Sequence, residues 1–173
     1  RNKPLIHSIQ LANPKLLLID SNLIDSYNEI KNTLNFPSNL VFSIADELKR
    51  TSSQLKAFDI KSFQYSNQKT NYQPKIFAKD PAMYIYTSGT TGLPKASIIS
   101  HGRWLKGYSA FGLTSLRLNQ NDVLYVPLPF FHATAMVVCW SSVVAGGASI
   151  VIKNKFSVTD FWKDIHKYQV TGF

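Results

Sequence analysis

Four hydroxyl side chains, two glycines and one lysine fall within nine residues of this chain, Thr87 to Lys95, TSGTTGLPK. Gly89 and Gly92 permit backbone conformations in which successive N–H groups converge on an anion. Thr87, Ser88, Thr90 and Thr91 add hydroxyl donors, Lys95 adds a full positive charge, and Pro94 stiffens the approach to it. Many weak donors beside one cation suit a polyphosphate better than a carboxylate. A plain polar turn is the alternative, but nine specified positions ending in Pro-Lys are more than a turn requires. The nucleotide P-loop G-x-x-x-x-G-K-[ST] does not match, because Gly92 is followed by Leu93-Pro94-Lys95-Ala96. That P-loop also opens into a helix whose N-terminus faces the phosphates. Here the chain continues as Lys95–Ser100, KASIIS, whose β-branched residues predict a strand.

A second candidate lies downstream in Leu128–His132, LPFFH, where two aromatic rings precede a histidine. Cys139 is the only cysteine, which excludes an internal disulfide and a cysteine-based metal cluster; its apolar surroundings read as a small buried side chain. His7, His101 and His166 show no metal-ligand spacing, and the ten carboxylates are dispersed with no acid–base pair apparent. No metal-ligating set is assigned.

The elements that must position these residues alternate. Leu16–Ile19 predicts a strand covered on both faces, and Ser21 is placed to cap a helix with Leu23, Ile24, Tyr27, Ile30 and Leu34 on one face. Pro37 then stops it. Residues 51–81 read as a polar connection. Beyond it, Ala82–Tyr86 and Lys95–Ser100 predict strands, and Trp104, Tyr108, Phe111 and Ser115 one face of a helix. Val123–Leu128 predicts another strand, followed by an apolar helix after His132 and a strand over Ser149–Ile152. In the last helix Ser157 and Asp160 suggest a capping box and Phe156 with Phe161 a hydrophobic staple; Val158, Phe161, Trp162 and Ile165 form the expected buried stripe. The fold class is therefore α/β, with a layered, largely parallel sheet and flanking helices. The division read is an α/β segment over 1–50, the connection over 51–81, and an α/β segment over 82–173 carrying the phosphate loop.

Ala133–Ile152 is 20 residues without a charge, about the length that spans a bilayer. Ser141-Ser142 and Gly146-Gly147 interrupt it, and a buried helix, a turn and a buried strand account for it better. The formal net charge is +9, from 19 basic and 10 acidic residues, but the basic residues are scattered instead of gathered into a nucleic-acid patch. With 45% hydrophobic and 17% charged residues, the composition is that of a globular chain. Arg1 at one end and the incipient strand YQVTGF at the other suggest a piece of a longer protein.

YTSGTTGLPK at Tyr86–Lys95 resembles the phosphate-loop signature of the adenylate-forming enzymes, and LPFFH at Leu128–His132 is similar to their next motif. AMYIYTSGTTGLPKA and KFSVTDFWKDIHKYQVT more narrowly resemble the fatty acid transport protein and very-long-chain acyl-CoA synthetase branch. The resemblance implies part of a large N-terminal domain and a two-step reaction. A fatty carboxylate and ATP would give acyl-adenylate, and CoA would then give the thioester, with Mg2+ accompanying ATP. It implies Thr87, Ser88, Gly89, Thr90, Thr91, Gly92 and Lys95 as phosphate ligands, and Lys95 and His132 as the catalytic residues. Phe130, Phe131 and His132 would line the acyl pocket, although His132 reads equally as a helix-capping or core histidine. The family's adenine, ribose and hinge motifs and its terminal lysine have no counterpart here, so the 173 residues alone are expected to be inactive. A stand-alone phosphate-binding module is the alternative. The whole protein is expected in the cytoplasm or peripherally at a membrane, and without a nucleic-acid partner.

Overall fold

Among the described residues, helices and strands follow one another from a helix at Asn2–Ala12 to one at Val158–Lys167. The computed structural model describes residues 2–44, 55–58, 73–87, 92–153 and 155–173. Two units divide it: residues 1–74 with 87–96, and residues 75–86 with 97–173.

In the first unit, α1 (Asn2–Ala12) is followed by β1 (Leu17–Asp20), α2 (Ile24–Leu34), β2 (Val41–Ile44) and the two-residue β3 (Lys56–Ala57). Strand β2 is central and parallel to both neighbours, with Leu17 opposite Val41 and Phe42 opposite Lys56. Tyr27, Ile30 and Leu34, spaced three and four apart, bury one face of α2 against Val41. The helix starts later than expected. Asp20, not Ser21, caps the turn, its Oδ1 accepting from Asn22 N at 2.8 Å; Ser21–Leu23 then forms a 3-10 turn with Leu23 56% exposed. Nor does Pro37 stop α2. Asn35 does so two residues earlier in the left-handed region, φ 50, just as Asn13 at φ 43 ends α1 before Pro14.

The second unit contains all of β4 (Pro81–Thr87) except its last residue and all of β5 (Lys95–Ser100) except its first two, and these strands pair. Then come α3 (His101–Gly107), β6 (Val123–Val126), α4 (Trp140–Gly146), β7 (Ser149–Ile152) and α5 (Val158–Lys167). Strands β6 and β7 are parallel, with Val126 opposite Ile152, and Gly172 bridges Leu124 in the same sense. The parallel α/β character expected of the sequence is present. Leu124, Val126, Ala135 and Val143 form the core, with Phe130, Cys139 and Ile150 packed on it. Strand β6 ends at Val126 instead of Leu128, because Pro127 has no N–H to give a ladder.

Two helices depart from simple periodicity. Helix α3 continues as a π-helical segment over Tyr108–Leu116, and α4 is preceded by another over Thr134–Cys139. The wider winding breaks the expected stripe: Phe111 is 40% exposed and Ser115 is exposed, while Gly107 and Gly112 are buried. A Cβ on Gly107 would lie 2.9 Å from the Val137 carbonyl, and one on Gly112 would overlap the Ala145 methyl. These glycines let the helices approach backbone to backbone. Ser141 and Ser142 are fully buried yet satisfied, their hydroxyls donating to the helix carbonyls of Val137 and Val138. Gly147 at φ 64 then turns the chain into β7, so residues 133–152 form a helix, a turn and a strand. Among the described residues, no helix is long and apolar enough to cross a membrane.

The stripe on α5 is also narrower than expected. Val158 and Trp162 are 76% and 63% exposed, whereas Phe161 and Ile165 are partly buried and Asp164 is buried. The staple forms, with the Phe156 and Phe161 rings 6.0 Å apart. Ser157 caps through Asp160 N at 3.3 Å, and its hydroxyl also donates to the Asp160 carboxylate at 2.9 Å.

Candidate functional site

The hydroxyl-rich loop connects two strands. Strand β4 runs to Thr87 and β5 begins at Lys95, so no helix opens directly behind the loop. Thr87, Gly92, Leu93 and Lys95 are all exposed. Thr87 Oγ1 donates to the Lys95 carbonyl at 3.5 Å, a long contact across the neck. Gly92 has φ 102, and a Cβ there would meet nothing within 4 Å. Glycine is required at this position by the backbone conformation, not by crowding. Ser88, Gly89, Thr90 and Thr91, expected to bind phosphate, lie outside the described residues.

On the far side of β5, Ser100 caps α3 by accepting from Arg103 N at 3.2 Å. His101 N and Gly102 N donate to the carbonyls of Asp80 and Ala78 at 3.0 and 2.7 Å. His101 and Arg103 are accounted for here as parts of a helix start.

An apolar pocket of about 260 Å³ lies within the second unit, lined by Met83, Tyr84, Ile85, Tyr86, Phe130, Phe131 and Met136. Two of the three residues expected to form an acyl pocket, Phe130 and Phe131, are in its wall. Phe130 is held by an edge-on contact with Trp140, ring centroids 5.6 Å apart, whereas Phe131 is 77% exposed. His132 does not line the pocket. Its Nδ1 accepts from Thr134 N at 3.2 Å, so the ring caps the helical start that follows, while its own N–H donates to Pro129 O at 2.9 Å. With Nδ1 an acceptor, the neutral ring carries its proton on Nε2, leaving a donor on an exposed side chain. The capping role and an outward-facing donor therefore coexist in one residue.

Sequence reasoning missed Met83, Tyr84, Ile85, Tyr86 and Met136, because an apolar strand and an apolar helix read as core. It also missed a polar cluster. Asp164 Oδ2 lies 2.8 Å from Lys153 Nζ and accepts from the Tyr125 hydroxyl at 3.2 Å. The hydrogen bond from Lys153, opposed by burial and aided by Tyr125, holds the Asp164 carboxyl below its ordinary range. The same bond raises Lys153, while burial first and Asp164 second push the Tyr125 phenol up. Burial alone raises the Cys139 thiol. The signal that could have revealed Asp164 is its place between Phe161 and Ile165, where α5 turns toward the sheet. Among the described residues, no group of three or more His, Cys, Asp or Glu is placed to hold a metal ion.

The pairs β1–β2 and β6–β7 are parallel in an α/β chain, and the family model described as "AMP-binding enzyme" matches residues 2–173. The chain belongs to that family. It is 34% identical over 175 residues to a medium/long-chain fatty-acid–CoA ligase of Mycobacterium tuberculosis, covering 100% of this chain and 27% of that protein. It is 33% identical over 177 residues to long-chain fatty acid transport protein 6 of Homo sapiens, again covering 100% and 27%. A crystal structure of a long-chain-fatty-acid CoA ligase from Rhodopseudomonas palustris superposes with a TM-score of 0.75 at 24% identity, over 99% of this chain and 40% of that one. The chain thus spans about a quarter of the length of the curated relatives it matches.

Proposed function

We propose that these residues belong to an ATP-dependent fatty acid–CoA ligase and form the part of it that grips the terminal phosphates and one end of the acid. The observation that carries this reading is the course of β4. Its residues Met83–Tyr86 wall an apolar pocket, and the strand runs on directly into Thr87 and the hydroxyl-rich loop. In the reaction, a carboxylate oxygen of the acid bonds to the α-phosphorus of ATP as the bond to the bridging oxygen breaks and pyrophosphate departs. The thiol sulfur of CoA then bonds to the acyl carbon, losing its proton, and AMP leaves.

The loop is suited to the first of these steps. Charge builds on the departing pyrophosphate, and donors already aimed at it lower the barrier. Thr87, Ser88, Thr90 and Thr91 would supply hydroxyls, Gly89 and Gly92 an unobstructed backbone, and Lys95 the cation. Mg2+ would travel with the nucleotide. Phe130 and Phe131 would furnish apolar wall to the acid, with Met83 and Met136 beside them, and His132 Nε2–H would donate to its carboxylate. The 173 residues alone are proposed to bind phosphates weakly and not to turn over. Peripheral membrane attachment of the whole protein fits its similarity to a fatty acid transport protein.

Lys95→Ala in the full-length protein tests the assignment. ATP–pyrophosphate exchange is expected to fall about a hundredfold while fatty acid binding changes little. Unchanged exchange would reject the role of Lys95. An absence of exchange in the unaltered full-length protein would favour a phosphate-binding module without catalysis.

A further inference from the structure

We infer that Tyr125, Lys153 and Asp164 are positioning residues that fix the segment 127–132 where it leaves the sheet. This rests on the ligase reading for its catalytic meaning, but its geometry stands separately. Val126 and Ile152 are partners at the carboxyl ends of parallel strands, the end at which open α/β sheets receive ligands. Lys153 N donates to Val126 O at 3.4 Å, so the main chain after β7 holds the last residue of β6. The side chain of the same lysine reaches Asp164 Oδ2, which also takes the hydroxyl of Tyr125, the residue before Val126. One carboxylate oxygen on α5 therefore ties together the ends of two strands.

The described supports of the segment that follows lie from Pro129 onward, not where it leaves β6. Pro127 and Pro129 have no backbone N–H to donate. The described anchors include the Phe130–Trp140 contact, the packing of Phe130 on the core, the turn from His132 N to Pro129 O, the His132 cap and the bond from Met136 N to His132 O at 3.1 Å. The direction in which Phe130, Phe131 and His132 emerge therefore depends on the end of β6 together with these later anchors. Stability is a weak reason to keep such a network. Burying a charged pair costs solvation, and an apolar replacement of similar volume is often as stable. Fixed direction at an exit from the sheet is what an apolar replacement would not supply.

Tyr125→Phe removes the hydroxyl and keeps the ring that stands edge-on to Phe161 at 5.5 Å. In the full-length protein, amide hydrogen exchange over residues 128–134 is expected to quicken about tenfold, the scale of one lost hydrogen bond. Exchange in β1, β2 and β7 should stay unchanged. Lys153→Met should do the same, and Lys153→Arg should retain protection, since a guanidinium can pair with the carboxylate. In pyrophosphate exchange, Tyr125→Phe should raise KM for the acid about tenfold with KM for ATP little altered. Unchanged protection over 128–134 in both Tyr125→Phe and Lys153→Met would overturn the inference, as would an equal loss throughout β6, β7 and α5. If the unaltered protein shows no pyrophosphate exchange, the ligase reading fails while the hydrogen-exchange result still decides the network.

Discussion

His132 combines an observed cap with a proposed contact to the acid. Its Nδ1 accepts the backbone N–H of Thr134, and its other nitrogen is left as a donor on an exposed ring. The cap and the proposed contact can be separated by chemistry. Asparagine is a good acceptor for the first N–H groups of a helix but cannot place a donor where Nε2 lies. His132→Asn is thus expected to keep the thermal midpoint of the full-length protein while weakening its use of the acid. His132→Ala should weaken that use equally and also cost about 1 kcal/mol of stability from the lost cap. Equal activity in the Asn variant and the unaltered protein would leave His132 as a cap alone. The motif LPFFH was legible as a candidate segment in the sequence, but the hydrogen bond that makes its histidine a cap was not. That bond depends on the Thr134 amide reaching back, which residue types do not reveal.

At the scale of elements, sequence patterns worked where local chemistry was strong. Strands β5 and β7 begin and end as expected, since β-branched runs are bounded by Pro94 and the α3 cap in one case and Gly147 in the other. They failed where winding or tertiary contact prevailed. A spacing of 3.6 cannot anticipate a π-helical segment, so the packed face over Tyr108–Leu116 passed from the aromatic residues to glycine. The contact at Gly112 makes this testable. A methyl there would overlap that of Ala145 and sit 3.2 Å from Ser142 Cα, neither of which is a flexible side-chain end. Alanine's advantage of about 1 kcal/mol in helix propensity is outweighed by overpacking of about 1–3 kcal/mol. Gly112→Ala should lower the urea midpoint with its slope unchanged; an equal or higher midpoint would mean that the helices can separate without penalty. Part of the candidate pocket was legible for the same reason. Phe130 and Phe131 stand in a motif, but Met83, Ile85 and Met136 acquire meaning only when β4 and the helix after His132 share a pocket.

At the scale of the whole molecule, acidity among the described residues acts on the Asp164 network. The Asp164 carboxyl is depressed in the folded state, so its contribution is complete above the ordinary carboxylate value and is lost as pH falls through the depressed one. Lys153 and Tyr125 are raised, so their contributions are complete below their ordinary values and are lost as pH rises through the raised ones. Asp160, Lys167 and Tyr168 also act on this cluster, from α5 and its end. Thermal midpoints are therefore expected to hold level through neutrality and to fall below about pH 4, with Asp164→Asn lower at neutrality and flatter on the acid side. An acid limb as steep in the variant would assign the loss to other carboxylates. The strand on either side of Thr87–Lys95 has a separate consequence for this protein of net charge +9. On the proposed reading, with β5 and not a helix following it, the loop's long-range pull on a polyanion would come from the exposed Lys95 and from the net positive charge of the chain. Dissolved ions reduce such a field over about 8 Å at physiological ionic strength. Capture of a nucleotide by the proposed loop would thereby be linked to the electrolyte around it, while hydroxyls and amides, which act only at contact, would keep their grip once it had arrived.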